Sequence, residues 1–250
     1  MQLDGKVALV IGGGRGIGAA SARVLASQGA SVAVNYLQNA ASAEQVVAQI
    51  RAAGGKAISV QADVLDIGQV AHMVELTHGA YGRLDILVHS ASVSAIFKPF
   101  AQLSWEEFMR GIDGVLRGVF NSTKAVLPLM QQQDYGRIVY IGSGVGKTPL
   151  VPGAISLSTG KAGLVAFAKY IAREYGPYGI TANVVAPGMV ETDLSAVMPA
   201  EHKQRAIAMT PPGRIAQPED IARVVAFFAS DASGFMTGAY APVNGGMTMD

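Results

Sequence analysis

A cluster of glycines near the start of the chain has the composition and position of a phosphate-binding turn. The apolar run Val7-Ala8-Leu9-Val10-Ile11 leads directly into Gly12-Gly13-Gly14-Arg15-Gly16-Ile17-Gly18, and an alanine-rich segment at 19–22 follows. Glycines allow the backbone to turn tightly and to approach a pyrophosphate, whose negative charge is favoured at a helix N-terminus. A strand, a glycine turn and a helix in this order favour dinucleotide binding over a turn that binds nothing.

Composition excludes several other kinds of chemistry. The chain contains no cysteine, so disulfides, thiolate metal sites and cysteine nucleophiles are all ruled out. The four histidines lack the spacing of zinc ligands, and no metal site is predicted. They are His72, His78, His89 and His202.

Short runs rich in valine and isoleucine alternate with longer segments of helical periodicity, which is typical of strand–helix units around a parallel sheet. We predict seven strands, near 6–12, 31–36, 56–62, 84–89, 136–142, 180–186 and 239–243. The predicted helices lie near 17–28, 40–53, 67–81, 104–131, 157–175 and 218–229. The pattern therefore predicts an α/β fold, a Rossmann-type doubly wound parallel sheet of about seven strands with helices on both faces.

Length and charge limit the organisation of the chain and its partners. With 250 residues, half of them apolar, we expect one domain over 1–250, with a mobile substrate loop and a short helix at 187–212. The net charge of +1 favours a small-molecule partner over nucleic acid or a membrane surface. No apolar run reaches the roughly 20 residues of a membrane span, and no charged leader precedes the first strand, so we expect a cytoplasmic protein.

Along nearly all its length the chain resembles the short-chain dehydrogenase/reductase family, and in particular its 3-oxoacyl-reductase-like members. The spacing Gly12-x3-Gly16-x-Gly18 matches the glycine motif of that family. Other motifs follow in the order of the family and nearly at its spacings: Ala62-Asp63-Val64, Ser143 with Lys161, Pro187-Gly188-Met189-Val190-Glu191-Thr192 and Val243-Asn244-Gly245-Gly246. The resemblance implies a nicotinamide-dependent oxidoreductase. It also implies a homodimer or homotetramer, packed through the helices near 104–131 and 157–175.

The resemblance also implies which residues contact the cofactor, with Asp63 at the adenine and Lys161 at the nicotinamide ribose. The full predicted set is Gly12, Gly14, Arg15, Gly16, Ile17, Gly18, Tyr36, Asp63, Val64, Ser90, Lys161, Pro187, Gly188, Val190 and Thr192.

The end of the second predicted strand bears on the choice between NAD(H) and NADP(H). An acidic residue there would hold the 2′-hydroxyl of NAD and repel the 2′-phosphate of NADP, but Val34-Asn35-Tyr36-Leu37-Gln38 contains no acid. Arg15 could bind that phosphate with its planar guanidinium, although it could also be a solvated surface arginine. We predict NADP(H).

The proton relay of the family is incomplete in this chain. In the family a tyrosine four residues before the lysine protonates the substrate, a serine orients the carbonyl, and an asparagine holds a water linked to the lysine. Ser143 and Lys161 remain as the candidate catalytic residues. Leu157 stands in place of the tyrosine, and Val115 stands in place of the asparagine.

Both remaining residues also have simpler interpretations, because a serine can tie down a turn and Lys161 can bind ribose without acid–base work. Enoyl reductases space the tyrosine and lysine by seven, but that position is Ala154. The nearest tyrosines, Tyr140 and Tyr170, are not plausibly placed to replace the missing one.

A second departure from the family falls at the end of the fourth predicted strand. The chain has His89-Ser90-Ala91-Ser92 where the family usually has Asn-Asn-Ala-Gly. The His-Ser pair is similar to the enoyl-reductase branch of the family, and a purely structural histidine at the end of a strand is the alternative.

These observations predict an NADP(H)-dependent oxidoreductase that acts on a small-molecule carbonyl, enone or imine with an atypical proton relay. Such a substrate would be protonated by water or by its own neighbouring group, while hydride positioning supplies a large effective molarity. The alternative is a divergent member that binds NADP(H) but acts as a lyase, isomerase, cyclase or ligand-binding regulatory subunit, because fold alone does not establish function. Free small molecules are expected over carrier-protein substrates, because Gln131-Gln132-Gln133-Asp134 and the region of Tyr178 form no basic docking patch.

Overall fold

Seven parallel strands form one sheet in the computed structural model, which describes residues 2–91 and 96–249. The strands are β1 (Val7–Ile11), β2 (Ser31–Tyr36), β3 (Lys56–Gln61), β4 (Ile86–His89), β5 (Gly136–Ile141), β6 (Ile180–Pro187) and β7 (Tyr240–Val243). Their order across the sheet is β3-β2-β1-β4-β5-β6-β7. The order reverses between β1 and β4, which in such sheets opens a ligand crevice outside the carboxyl ends of the strands.

Eight α-helices connect and cover the strands in the described part of the chain. They are α1 (Gly16–Ser27), α2 (Ala40–Ala52), α3 (Ile67–Tyr81), α4 (Trp105–Gln132), α5 (Ile155–Tyr175), α6 (Asp193–Ala196), α7 (Ala200–Met209) and α8 (Pro218–Ala229). Two of their boundaries show clear sequence causes. A capping box of Ser104 and Glu107 starts α4, and Gly82, in the left-handed conformation with φ of 76°, ends α3.

The sheet separates two apolar cores, because successive side chains of a strand point to opposite faces. In β1, Ala8 and Val10 pack with α1, α2 and α8, whereas Leu9 and Ile11 pack with α3, α4 and α5. All five residues of β1 and all six of β5 are buried. Burial on both faces explains why the central strands are continuous apolar runs instead of alternating ones.

The predicted α/β class, with its seven parallel strands and helices on both faces, is confirmed, and the strand and helix ranges agree closely with the sequence prediction. One segment was predicted incompletely. The stretch at 187–212 holds two helices, α6 and α7, where we expected one short helix. An ion pair between Lys203 and Glu191, with an N–O distance of 2.6 Å, fastens α7 to the segment that follows β6. The mobility of this stretch stays a prediction.

Gly18 fixes how closely α1 approaches the turn that follows β1. A methyl group at Gly18 would overlap the backbone carbonyl oxygen of Gly12, a rigid atom that cannot move aside as a flexible side chain could. The first turn of α1 therefore lies directly against the glycine turn, as the sequence pattern predicts.

We expect Gly18→Ala to destabilise the fold by about 1–3 kcal/mol, the usual cost of overpacking. Gly79→Ala is the matched control, because Gly79 lies inside α3 with nothing within 4 Å of an added methyl group. Alanine should stabilise that helix by about 1 kcal/mol. Urea unfolding of the two variants measures the difference, and equal stabilities would show that the approach at Gly18 is looser than described.

Candidate active site

The glycine turn is held in place by a buried asparagine at the end of β2. Asn35 Oδ1 accepts a hydrogen bond from Gly12 N at 3.2 Å, and the Asn35 carbonyl accepts one from Gly13 N at 2.9 Å. Asn35 Nδ2 donates to the carbonyls of Val60 and Ala62 at 3.3 and 3.2 Å. The side chain thus ties the turn to the ends of β2 and β3. Sequence reasoning missed this role, because it considered this position only for the absence of an acid.

The first turn of α1 presents backbone N–H groups that no side chain caps. The N-cap residue is Arg15, with extended backbone angles (φ −155°, ψ 166°), and its side chain cannot accept a hydrogen bond. The first N–H groups of a helix have no partner inside it, and together with the helix dipole they attract an anion.

Two other segments close around the glycine turn, one through its backbone and one through a side chain. A side chain at Gly12 would lie 3.0 Å from the N and Cα atoms of Ala91, and one at Gly16 would lie 3.3 Å from Thr192 Cγ2. The glycines therefore leave a narrow cradle that side chains would fill. A pyrophosphate fits this combination of close backbone approach and uncapped N–H groups.

The residues at the end of β2, Tyr36 to Gln38, are uncharged, and Arg15 is the charged residue of the glycine turn. Tyr36 is half-buried and Leu37 is 50% exposed at the end of β2. A side chain at Gly14 would lie 3.4 Å from Ala43 N, so the turn with Arg15 stands close to the start of α2. Arg15 is exposed, and its guanidinium forms no ion pair within residues 2–91 and 96–249.

The turn after β3 is ordered by its own aspartate and by an asparagine of α4. Asp63 Oδ1 accepts a hydrogen bond from Leu65 N at 2.8 Å, and Asp63 N donates to Gln69 Oε1 at 2.9 Å. Asn121 Nδ2 donates to the Val64 carbonyl at 2.9 Å. Asp63 and Val64 therefore stand at the carboxyl edge as the sequence predicted, whereas the supporting role of Asn121 was not anticipated.

The segment from Pro187 to Thr192 crosses back toward the glycine turn. Gly188 N donates to the Val243 carbonyl at 3.3 Å, and Glu191 N donates to the Ala216 carbonyl at 2.8 Å. Within this segment, the side chain of Val190 is buried. Because Thr192 reaches Gly16, the structure brings the predicted residues of 187–192 together with those of the first turn of α1.

Ser143 and Lys161 both lie near the carboxyl end of β5. Lys161 Nζ donates to the Ile141 carbonyl at 2.8 Å, two residues before Ser143. A side chain at Gly146 would lie 2.9 Å from the Lys161 carbonyl carbon, so the turn that starts at Ser143 packs directly on this part of α5. Ser143 Oγ accepts a long hydrogen bond of 3.4 Å from Val145 N, which leaves its hydroxyl hydrogen able to donate elsewhere.

Burial lowers the pKa values of two bases in this region. It lowers the pKa of Lys161 to about 8, and it lowers the pKa of His89 to about 3, with the nearby positive charge of Lys161 contributing to the His89 shift. His89 Nδ1 lies 3.0 Å from Ser122 Oγ, which itself donates to the Gly118 carbonyl at 2.7 Å. A neutral His89 therefore carries its proton on Nδ1. These contacts support the structural interpretation of His89, while Ser92 lies outside the described residues.

Apolar side chains occupy the positions around Lys161. Leu157 is half-buried, one turn before Lys161 on the same face of α5. Val115 packs directly against α5, because a side chain at Gly160 would lie 3.0 Å from Val115 Cβ.

Two tyrosines have hydroxyl groups near this end of the sheet, and both are already engaged. Tyr140 is fully buried in β5, its hydroxyl lies 2.9 Å from Thr123 Oγ, and burial raises its pKa. Tyr240 donates to the Ser143 carbonyl at 3.3 Å, and Lys147 Nζ lies 4.3 Å from the centroid of its ring. Tyr240 escaped sequence reasoning because it lies in the last strand, 97 residues beyond Ser143.

A groove of about 560 Å³ runs beside this site, along the turn at 145–155 and another face of α5. Ser158, Thr159 and Ala162 belong to its lining, whereas Ser143, Leu157 and Lys161 do not. Across the described ranges, no three His, Asp or Glu side chains cluster as metal ligands do. In the same ranges, the helices are too short or too polar to cross a membrane.

The chain is similar to many known proteins in both sequence and structure. The family described as "Enoyl-(Acyl carrier protein) reductase" matches residues 12–248. A 3-oxoacyl-(acyl-carrier-protein) reductase of Synechocystis sp. is 40% identical over 248 residues, covering 99% of this chain and 98% of the relative. The Escherichia coli protein of that name is 37% identical over 249 residues and covers 100% of both. A short-chain dehydrogenase/reductase from Serratia marcescens has a similar structure, with a TM-score of 0.93, 35% identity and 100% coverage of both chains.

The lowered pKa of His89 predicts a specific acid sensitivity of the fold. An unfolded histidine titrates near pH 6.5, whereas folded His89 stays neutral down to about pH 3. Below pH 6.5 the unfolded state therefore binds a proton that the folded state refuses. This difference should remove roughly 1.5 kcal/mol of unfolding free energy between pH 6.5 and pH 5. Urea unfolding at several pH values should show this loss in the wild type and not in His89→Gln; parallel curves would contradict it.

Proposed function

Because this chain belongs to the short-chain dehydrogenase/reductase family and is an oxidoreductase, we propose that it reduces a small-molecule carbonyl, enone or imine with NADPH through an atypical proton relay. The observation that supports this proposal is that Ser143 and Lys161 both lie near the carboxyl end of β5, where Lys161 Nζ binds the Ile141 carbonyl. Leu157 lies one turn before Lys161, at the position that the family resemblance assigns to a tyrosine. A non-redox role is not favoured, because the relatives that cover the whole chain are named as reductases.

The proposed cofactor contacts follow the cradle from end to end. The N–H groups of the first turn of α1 would hold the pyrophosphate, and Asp63 with Val64 would contact the adenine. Arg15 would bind the 2′-phosphate beside Tyr36, and residues 34–38 include no acidic side chain that would repel it.

The other proposed contacts lie on the nicotinamide side. Lys161 would donate to the ribose, and Ser90 with the segment at 187–192 would border the ring. When bound, the reduced nicotinamide supplies a hydride.

Ser143 would position the substrate, and the two relay positions that the family resemblance assigns to a tyrosine and an asparagine carry no proton donor here. Ser143 can donate its free hydroxyl hydrogen to a substrate oxygen. Leu157 has no proton to give, and Val115 cannot hold a water for Lys161. Such a site suits an acceptor that is already polarised, because orientation of the reacting atoms alone can supply a large effective molarity.

The relatives' names suggest a second candidate within this substrate class. Several are named as 3-oxoacyl-(acyl-carrier-protein) reductases, and a 3-oxoacyl thioester is a carbonyl activated by a neighbouring acyl group. We favour the free small molecule, because the sequence around 131–134 provides no basic docking patch for an acidic carrier.

We also propose a homodimer or homotetramer in the cytoplasm, assembled through α4 and α5. An open groove of about 410 Å³ lies where these helices meet on the protein surface. It is lined by Asp113, Leu116, Arg117, Phe120, Gly163 and Phe167.

NADPH should bind more tightly than NADH, and Arg15→Ala should weaken NADPH binding without affecting NADH. Loss of a charge-assisted contact costs roughly 1.5–3 kcal/mol. Titration of cofactor fluorescence measures both affinities, and Arg173→Ala, which removes an exposed arginine from the last turn of α5, is the control. Equal affinities for the two cofactors, or an unchanged preference in Arg15→Ala, would remove the basis for NADP(H).

Simple unactivated ketones should be reduced far more slowly than activated acceptors. A tuned proton donor contributes roughly 10²–10⁴-fold, which corresponds to about 3–5 kcal/mol of transition-state stabilisation. The measurement is NADPH oxidation with simple ketones, β-ketoesters, enones and imines, and with an acetoacetyl thioester for the second candidate.

Variants that restore the missing tyrosine and asparagine test the same prediction by gain of activity. Leu157→Tyr combined with Val115→Asn should raise the rate on simple ketones above that of either single change. Wild-type turnover of simple ketones at the rate of activated acceptors would show that the relay is intact in some other form.

A further inference from the structure

We propose that Lys161 itself is the proton donor, passing a proton from Nζ to the substrate oxygen that Ser143 holds. This inference rests on the proposed function, and it replaces protonation by water with a named side chain.

The placement of the ammonium group is the first observation. Lys161 Nζ is fixed by the Ile141 carbonyl at 2.8 Å, and Ile141 lies only two residues before Ser143 in the chain. Consecutive Cα atoms are about 3.8 Å apart, so both groups stand at the same end of β5. An ammonium has three N–H bonds, and the Ile141 carbonyl uses one of them. The ribose would use a second, which leaves one N–H bond for a substrate oxygen.

The second observation is that the positive charge has no negative partner. No carboxylate lies within ion-pair distance of Lys161 in residues 2–91 and 96–249, and its hydrogen-bond acceptor is a neutral carbonyl. Leu157 is an apolar residue one turn before Lys161 on the same face of α5, and Val115 packs against the neighbouring Gly160. A buried charge without a counter-ion is unstable relative to its neutral form, which makes the group a stronger acid.

The acidity that follows is in a useful range. The pKa of Lys161, lowered to about 8 by burial, lies far below the value of about 15.7 for bulk water. A donor whose pKa lies near the operating pH is the most effective general acid. Lys161 is therefore mostly protonated at neutral pH and gives up its proton readily.

The other candidate donors around the site are less suited. His89 is neutral at physiological pH because its pKa is about 3, and its Nδ1 proton already points to Ser122. Tyr140 is fully buried against Thr123, and burial raises its pKa. Tyr240 directs its hydroxyl to the Ser143 carbonyl, away from the Ser143 hydroxyl.

The step balances without any further reactant. When bound, the reduced nicotinamide would supply a hydride to the carbonyl carbon, and the electron pair of the C=O π bond would move to oxygen. That oxygen forms an O–H bond as one Nζ–H bond breaks, and the electron pair of the broken bond stays on a neutral amine. The amine regains a proton from water before the next turnover. Activity must therefore fall as pH rises through the pKa of Lys161.

The first test uses the protein without cofactor or substrate. In ¹⁵N-lysine-labelled wild type, one Nζ resonance should titrate near pH 8 and should be absent from Lys161→Arg. If every lysine resonance titrates above about pH 10, the ordinary range for lysine, the proposal is overturned.

The second test is the pH dependence of kcat with NADPH and ethyl acetoacetate, a β-ketoester. We expect wild-type kcat to fall tenfold per pH unit above about pH 8. Lys161→Arg keeps a cationic N–H donor but not an acidic one, because arginine does not titrate in this range. Because Lys161 would also contact the ribose, this variant should bind NADPH more weakly; at saturating NADPH it should lose about 100-fold in kcat and lack the alkaline decrease. Lys161→Met provides a second, uncharged variant.

Tyr240→Phe is the control, and it should keep the alkaline decrease. Persistence of that decrease in Lys161→Arg, or its loss in Tyr240→Phe, would overturn the role of Lys161 while NADPH oxidation leaves the proposed function standing. A borohydride-stable substrate adduct on Lys161 would overturn it as well, because the amine would then act as a nucleophile. If NADPH binds but no carbonyl in the panel is reduced, the proposed function fails and the donor role fails with it.

Discussion

The first helix can begin directly after the first strand only because Gly18 has no side chain to keep α1 away from the Gly12 carbonyl. Much of the site depends on that single close approach. It aims the uncapped N–H groups of α1 at the crevice between β1 and β4, and it brings Gly16 within reach of Thr192. Asn35 then fixes the turn, because its buried amide binds both the glycine turn and the carbonyls of Val60 and Ala62, in β3 and just after it. The cradle is therefore made mostly of backbone, which explains why so few side chains define it.

A second region at the carboxyl edge is governed by burial instead of close packing. Burial lowers the pKa of both Lys161 and His89, and the positive charge of Lys161 lowers the pKa of His89 further. His89 is neutral and its Nδ1 lies at hydrogen-bond distance from Ser122 Oγ, whereas the Nζ of Lys161 donates to the Ile141 carbonyl. Leu157 and Val115 are apolar residues of this region. Interactions between charges are stronger in an apolar region than on the open surface.

Sequence reasoning succeeded where the signal is local. Continuous apolar runs located the strands, and the glycine spacing located the turn and the start of α1, because those properties belong to consecutive residues. It failed to foresee Asn121 on Val64, Ser122 on His89 and Tyr240 on Ser143, since each contact joins elements that are distant in sequence. One of the two helices at 187–212 was also missed, since only one short helix was expected there. The helix α7 is rich in polar residues, and the ion pair of Lys203 with Glu191 that joins α7 to the residues after β6 links positions that are distant in sequence.

The inward orientation of Asn35 constrains any redesign of coenzyme choice. Engineers who wish to favour NAD(H) commonly seek to place a carboxylate at the end of the second strand, where it can bind a ribose diol. At position 35 an aspartate would lose both amide donors and set a negative charge against the carbonyls of Val60 and Ala62. The N–H group of Gly12 would gain a stronger acceptor, but the carboxylate at position 35 would be repelled by the carbonyls of Val60 and Ala62. The mutable positions are therefore the outward ones that follow, Leu37 and Gln38, whose side chains are exposed and carry none of this scaffold.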